Sequence, residues 1–306
     1  WEPRIDELVA LTELVDRCGY DSLWVGDHIS FAIPILDPLL QLAQAAVVSR
    51  RLLLGTGVYL LPLRHPAPVA KQVATLDHLT EGRLIFGVGV GGEFPQEYAV
   101  SGVPLAERGA RLTEGVTLLR EFWRGVPVSR DGGFYGGFSD VALRPPARQM
   151  GGPPIWFGGR SKAALARAGR LGDGYISYVV TPEMYADALA DIEAAMTQAD
   201  RAPPVFGTGH LLFTRLDTSF EVALDAAAAA LSVRYAMDFR RAARRYCALG
   251  TPEDVAARIR EFHAAGVRHV VLDFVGPYEQ RDAQIAWFAG EAMPLLAGLT
   301  NPAPRS

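Results

Sequence analysis

The chain has 306 residues, of which 49% are hydrophobic, enough for one large α/β domain or two small ones. Its formal net charge of −4 argues against nucleic-acid binding and against a polybasic membrane surface, and no apolar run reaches membrane-spanning length. The two cysteines, Cys18 and Cys247, lie far apart in the sequence, which indicates free thiols in a reducing compartment and predicts a cytoplasmic protein.

Helical and strand-like patterns alternate along the chain. The first element is a helix over residues 5–18, whose apolar residues follow helical spacing up to Gly19. Further helices are predicted over residues 38–49, 68–79, 107–124, between Ser161 and Gly172, and over 182–200, 219–233, 251–265 and 283–296. Strands are predicted over residues 22–25, 52–58, 84–90, 154–157, 174–178, 205–214 and 269–274. Continuous apolar strands that alternate with helices indicate a parallel sheet buried on both faces.

The strand count favours a (β/α)8 barrel, also called a TIM barrel. Such a barrel needs eight strands, and because the chain opens with a helix, the absent one would be an N-terminal strand. A doubly wound open sheet is the alternative, but the glycine-rich GVGVGGE at 87–93 comes too late in the chain to be its dinucleotide turn. We expect a single domain over residues 1–306 with a hairpin insertion at about 125–146 and a helical excursion at about 219–250.

Residues 151–176 carry a pattern typical of an anion site. An apolar strand leads through Gly159, Arg160 and Ser161 into a helix. The first N–H groups of a helix have no partners, glycines let a ligand approach the backbone, and the helix dipole favours negative charge. We interpret the segment as a phosphate grip, to which Arg160 adds a charged hydrogen bond. The alternative is a tight turn in which Ser161 only caps the helix.

Other strand ends supply candidate chemistry. His28 follows the first strand beside Asp27, and a histidine that titrates near neutral pH can donate or accept a proton. The alternative is that Asp27 and His28 only stabilise the turn after the strand. Glu93, after the third strand, is a candidate general acid or base, or else a solvated loop acid. The remaining strand ends carry Thr56, Gly57, Val58, Gly91, Ser177, Tyr178, His210 or nearby residues, and Asp273. The histidines lack the spacing of metal ligands, so no metal is predicted.

Five segments together resemble the bacterial luciferase-like monooxygenase family. They cover residues 19–29 (GYDSLWVGDHI), 52–91, 102–115, 153–176 (PPIWFGGRSKAALARAGRLGDGYI) and 251–272, in the family's order. The resemblance implies a TIM barrel with insertions, often a homodimer. It also implies a reduced flavin or deazaflavin across the carboxyl ends of the strands.

The resemblance also implies roles for single residues. His28 would flank the ring pocket, the Gly57–Val58 bond would be a non-prolyl cis peptide, and Arg160 would help to hold the cofactor phosphate. The implied cofactor-binding residues are Asp27, Thr56, Gly57, Val58, Gly91, Gly159, Arg160, Ser161 and Tyr178. The sequence departs from the family at its start and in the short apolar link over 28–36, and we expect that segments are omitted there.

Three functions follow from this resemblance. The first is a monooxygenase that uses reduced FMN, supplied by a separate flavin reductase, and O2. Its substrate would be a small, partly apolar organic molecule, as the aromatic candidates Phe31, Tyr59, Phe94 and Tyr178 suggest. The second is hydride transfer with the deazaflavin coenzyme F-420, with His28 or Glu93 as proton donor or acceptor. The third is a non-catalytic flavin-binding protein.

Overall fold

A computed structural model describes residues 4–299 of the chain. Contacts group these residues into two compact units. The first unit contains the residues up to Val9, Asp21–Phe31 and Ile35–Gly159, and the second contains Ala10–Tyr20, Ala32–Pro34 and the residues from Arg160 on. A single domain over residues 1–306 stays a prediction.

Helices and strands alternate along the described residues, as the sequence predicts. The helices are α1 (Ile5–Arg17), α2 (Pro38–Val48), α3 (Pro66–Leu79), α4 (Pro95–Val100), α5 (Arg108–Trp123), α6 (Lys162–Leu171), α7 (Pro182–Gln198), α8 (Phe220–Tyr235), α9 (Arg240–Tyr246), α10 (Pro252–Ala264) and α11 (Arg281–Trp287). The strands are β1 (Ser22–Val25), β2 (Leu53–Thr56), β3 (Leu84–Val88), β4 (Val128–Arg130), β5 (Phe138–Val141), β6 (Ile155–Gly158), β7 (Gly174–Tyr178), β8 (Gly207–Leu216), β9 (Ala248–Gly250) and β10 (His269–Phe274). All seven predicted strands are present.

The first unit contains a parallel sheet in the order β1-β2-β3-β6. The registers place Ser22 opposite Leu53, Leu54 opposite Leu84 and Phe86 opposite Ile155. Leu54, Phe86 and Ile155 are fully buried, which agrees with strands covered on both faces. The predicted hairpin is confirmed, because β4 and β5 form an antiparallel pair within residues 125–146.

The second unit contains a parallel sheet in which β8 pairs with both β7 and β10. Here the predicted helical excursion over 219–250 is only partly right. Its helices α8 and α9 are separate, and α8 ends where Ala236 adopts a left-handed φ of 52°. Its last residues form β9, which pairs in parallel with the end of β8. Three residues are too few for a period-2 pattern, so this strand gives no sequence signal.

Side chains cap the first turns of several helices. The Asp37 carboxylate accepts the N–H groups of Leu39 and Leu40 at the start of α2. Thr251 and Asp254 form a reciprocal capping box at the start of α10. These caps satisfy N–H groups that a helix start otherwise leaves without partners.

Among residues 4–299, no helix has the length and apolar character needed to cross a membrane.

Candidate functional site

The first unit brings the ends of β1, β2 and β3 together. The peptide bond between Gly57 and Val58, directly after β2, is cis, as predicted. Tyr59 then bridges to Val88 at the end of β3. A Cβ atom at Gly89 would collide with the Val58 side chain, so this close approach of the two strand ends requires glycine.

Asp27 is almost fully buried and forms an ion pair with Arg64. Its Oδ1 accepts from Arg64 Nη2 at 2.9 Å, its Oδ2 accepts from Arg64 Nη1 at 2.5 Å, and Oδ2 also accepts the Leu60 N–H at 2.8 Å. Burial raises the pKa of the Asp27 carboxyl, while the Arg64 guanidinium opposes that rise. The guanidinium also lies 4.4 Å from the ring centre of Tyr59. Asp27 therefore ties the loop after β1 to the segment after β2.

His28 contacts a buried acid that the sequence analysis did not single out. Nδ1 of His28 lies 3.1 Å from Oε2 of Glu97, which belongs to α4 and is 1% exposed. Oε1 of Glu97 accepts the backbone N–H groups of Ile29 at 2.6 Å and Ser30 at 3.2 Å. One carboxylate therefore holds three successive residues of the loop after β1.

Two aromatic rings pack against the His28 imidazole. Phe31 stacks on it with ring centres 4.1 Å apart and an interplanar angle of 6°. Phe94 meets it edge-on at 5.6 Å and meets Phe31 edge-on at 5.0 Å. We call His28, Phe31 and Phe94 the aromatic cluster. In this cluster, which follows the ends of β1 and β3, the imidazole is packed between apolar rings.

The remaining predicted residues of the first unit differ in their surroundings. Glu93 is exposed on the loop between β3 and α4, four residues before Glu97. Thr56 is fully buried, and its hydroxyl donates to the Gly87 carbonyl at 2.7 Å, which ties β2 to β3. Gly91 has a left-handed φ of 58°. The cofactor and catalytic roles of these residues stay predictions.

The predicted phosphate grip follows β6. Gly159 has a φ of 124°, and the Ser161 hydroxyl accepts the Ala164 N–H at 3.3 Å as the cap of α6. The Arg160 side chain is exposed, donates to the Val179 carbonyl at 3.0 Å and lies 5.2 Å from the ring centre of Tyr178. Ser161 thus has the capping role that was the alternative. This role does not test the phosphate assignment, because a capping serine keeps its O–H as a donor.

His210 lies within β8 rather than at its end. Its ring stacks on Phe262 of α10 at 4.1 Å and meets Tyr185 of α7 edge-on at 6.1 Å. Nδ1 lies 2.7 Å from the Ser177 hydroxyl. Burial, followed by the charge of Arg258, lowers the pKa of His210 to about 3. His210 is therefore a neutral core histidine packed against helices.

Asp273, near the end of β10, pairs with a residue of α8. Its Oδ2 accepts from Arg234 Nη1 at 2.6 Å, and the guanidinium lies 5.7 Å from the ring centre of Phe213. Both partners are half-buried.

Within residues 4–299, no group of three His, Cys, Asp or Glu side chains could hold a metal ion.

Sequence reasoning missed Glu97 and Arg64 for the same reason. An acid in the first turn of a helix, such as Glu97, is ordinarily a solvated partner of the helix dipole. An arginine between two helical segments, such as Arg64, is ordinarily a surface residue. Their partners lie 69 and 37 residues away in the sequence. Their positions in the sequence could have indicated them, because Arg64 closely follows β2 and Glu97 closely follows β3, and both strands carry site residues at their ends.

Comparisons with known proteins place the chain in a family. A family model for luciferase-like monooxygenases matches residues 2–269. The F420-dependent glucose-6-phosphate dehydrogenase of Nakamurella multipartita is 29% identical, with 96% of this chain and 94% of that protein covered. The 4-hydroxyprotoasukamycin monooxygenase of Streptomyces nodosus subsp. asukaensis is 35% identical over 56% of this chain and 47% of that protein.

A solved structure extends the likeness to the fold. The monooxygenase RslO1 of Streptomyces bottropensis superposes with a TM-score of 0.83 at 27% identity, over 96% of this chain and 94% of that one. This match confirms the predicted fold class, a TIM barrel with insertions. The relatives named here are oxidoreductases, so a flavin-type cofactor and an enzymatic function are supported over a purely flavin-binding protein. The chain belongs to the luciferase-like monooxygenase family.

Proposed function

We propose that the protein is a monooxygenase that uses reduced FMN and O2 on a small, partly apolar organic substrate. The observation that carries this proposal is the aromatic cluster, in which two phenyl rings pack against the imidazole of His28. Such apolar packing excludes water from a reacting centre. The likeness to the RslO1 monooxygenase over nearly the whole chain supports the same choice.

The residues after β2 and β3 fit the flat ring of a flavin-type cofactor. Val58 is half-buried, packs beside Leu60 and Leu63, and leaves part of its surface free for contact with a ring. Gly57 and Gly91 have no side chain of their own, which would let a ligand approach their peptide groups. When bound, the reduced cofactor supplies the electrons that reduce O2. This chain's own residues would position the ring and shield it from water.

The assignment of Gly159, Arg160 and Ser161 to a cofactor phosphate is a separate proposal. Its support is the hydroxyl of Ser161 and the guanidinium of Arg160 at the start of α6, where helix geometry favours an anion. Tyr178 would contribute by holding the Arg160 side chain in place.

The partners and location follow the proposed chemistry. A separate flavin reductase would supply the reduced FMN. In support, the flavin-dependent trigonelline monooxygenase of Acinetobacter baylyi is named as an oxygenase component. It is 31% identical over 51% of this chain and 43% of that protein. We also propose a homodimer and a cytoplasmic location. Cys18 and Cys247 are both free thiols, which is consistent with a reducing compartment.

A second candidate function is hydride transfer with the deazaflavin. The contact between Glu97 and His28 favours it, because oxidation of an alcohol needs a base that takes the hydroxyl proton as the hydride leaves. Glu93 is the other predicted acid or base. Similarity to F420-dependent glucose-6-phosphate dehydrogenases over almost the full length of both chains also supports this candidate.

A cofactor titration separates the two candidates. The purified protein is titrated with FMN and with the deazaflavin, and quenching of cofactor fluorescence gives both affinities. Reduced FMN is then mixed with the protein, O2 and a panel of small apolar substrates while oxygen uptake and product are measured. We expect FMN binding and substrate-dependent oxygen incorporation. Tight binding of the deazaflavin alone, with reduction of that cofactor by an alcohol, would replace the first candidate by the second.

A further inference from the structure

Glu97 holds the loop after β1 through acceptor atoms only. Its Oε1 accepts the backbone N–H of Ile29 at 2.6 Å and that of Ser30 at 3.2 Å, and its Oε2 faces Nδ1 of His28 at 3.1 Å. A carboxylate can only accept hydrogen bonds, so the ring atom that it faces must be the donor. The neutral imidazole therefore carries its proton on Nδ1.

We propose that Glu97 is a positioning residue that sets the tautomer of His28 and leaves the lone pair of Nε2 available to the substrate or cofactor. The hydrogen bond at one ring nitrogen decides which nitrogen is protonated. The tautomer follows from the contacts of Glu97. Its use in catalysis rests on the proposed function, because His28 has to act in the reaction.

The aromatic neighbours complete the orientation of the ring. Phe31 stacks parallel to the imidazole and Phe94 closes its edge, so the ring plane is held by packing. Neither phenyl ring has a polar atom, so packing cannot choose between the two tautomers. The phenyl rings thus set the plane of the imidazole, and Glu97 sets the position of its proton. Glu97 can therefore be altered without removing the aromatic contacts.

Glu97→Gln tests the tautomer with almost no change in shape. The oxygen of Gln must stay with the two backbone N–H groups of Ile29 and Ser30, because the amide nitrogen cannot accept them. The amide NH2 then faces Nδ1 of His28 and donates to it. Nδ1 becomes the acceptor, and the proton moves to Nε2.

The measurement is ¹⁵N NMR of histidine-labelled protein at about pH 8, where an ordinary imidazole is neutral. The His28 signals are assigned from their loss in His28→Gln. We expect the Nδ1–H form in the wild type and the Nε2–H form in Glu97→Gln. Glu81→Gln, which alters an exposed acid paired with Arg50, is the matched control and should keep the wild-type tautomer. An Nε2–H form in the wild type, or an unchanged form in Glu97→Gln, overturns the proposal.

Kinetics with the cofactor chosen by the titration test the consequence of the tautomer. We expect kcat of Glu97→Gln to fall on the order of 10²-fold with KM little changed, since a proton-transfer atom is lost and the binding surface is not. Glu81→Gln should show wild-type kinetics. Loss of thermal stability along with kcat would instead assign Glu97 a purely structural role and overturn the proposal. If the wild type turns over with neither cofactor, the proposed function fails, while the NMR result still decides the tautomer.

Discussion

At the scale of single residues, the site depends on buried acidic side chains that hold backbone segments. Asp27 and Glu97 are both almost fully buried, and both accept backbone N–H groups from a loop that carries site residues. Removing one partner of such a contact leaves a buried charge unsatisfied, which costs far more than a surface ion pair contributes. Arg64 is therefore important for the site although it lies 37 residues from Asp27 in the sequence.

The phosphate assignment is testable at Arg160. Arg160→Ala should weaken cofactor binding by about 1–3 kcal/mol, because one charged hydrogen bond to a phosphate is lost. Quenching of cofactor fluorescence during titration measures the affinity of each variant. Arg170→Ala, on the exposed face at the end of the same helix, is the matched control and should bind as the wild type does. Equal affinities of the Arg160→Ala variant and the wild type would refute the assignment.

The buried His210 predicts a loss of stability in mild acid. Its pKa is lowered to about 3 in the folded protein and is about 6.5 when unfolded, so the unfolded chain binds the extra proton between these values. Stability should fall as the pH drops below about 6.5, by about 2 kcal/mol at pH 5.

Urea unfolding at a series of pH values measures this contribution. His210→Asn keeps a polar atom near the Ser177 hydroxyl and does not titrate, so its stability should change less between pH 7 and pH 5 than that of the wild type. His78→Asn, at an exposed histidine, should retain the wild-type dependence. Identical pH dependence in the wild type and His210→Asn would contradict a buried neutral imidazole.

At the scale of elements, α2 differs from an ordinary surface helix. It carries no charged residue, and Leu40 and Val47, seven positions apart on one face, are 74% and 73% exposed. Contiguous exposed apolar surface is one mark of a face that another chain covers. This face supports the proposed homodimer.

Leu40→Glu tests the homodimer at that face. The introduced charge should disfavour association, because it would be buried without a partner. Sedimentation velocity should show a dimer for the wild type and a shift toward monomer for Leu40→Glu. Val100→Glu, at an equally exposed valine on α4, is the control and should remain dimeric. A monomeric wild type would refute the proposal directly.

At the scale of the whole molecule, a single domain over residues 1–306 predicts cooperative unfolding. Trp24, Trp123 and Trp156 lie in the first unit, so tryptophan fluorescence reports mainly on that unit, while circular dichroism reports on the helices of both. The two probes should give coincident transitions in urea. Saturating cofactor should move both together, by about 2.7 kcal/mol at 100 times its dissociation constant. Two separated transitions would show that the units unfold independently.

The sequence by itself determined the alternation of strands and helices, the hairpin, the turn into α6 and the family. These features depend on local periodicity, caps and glycine turns, which neighbouring residues encode. Only the tertiary structure decided which acid meets His28, what holds Asp27 and where β9 lies. The carboxylate of Glu97 reaches a loop 69 residues away, and no local pattern encodes such a contact. The sequence analysis therefore named the exposed Glu93, and folding brought the buried Glu97 to the imidazole.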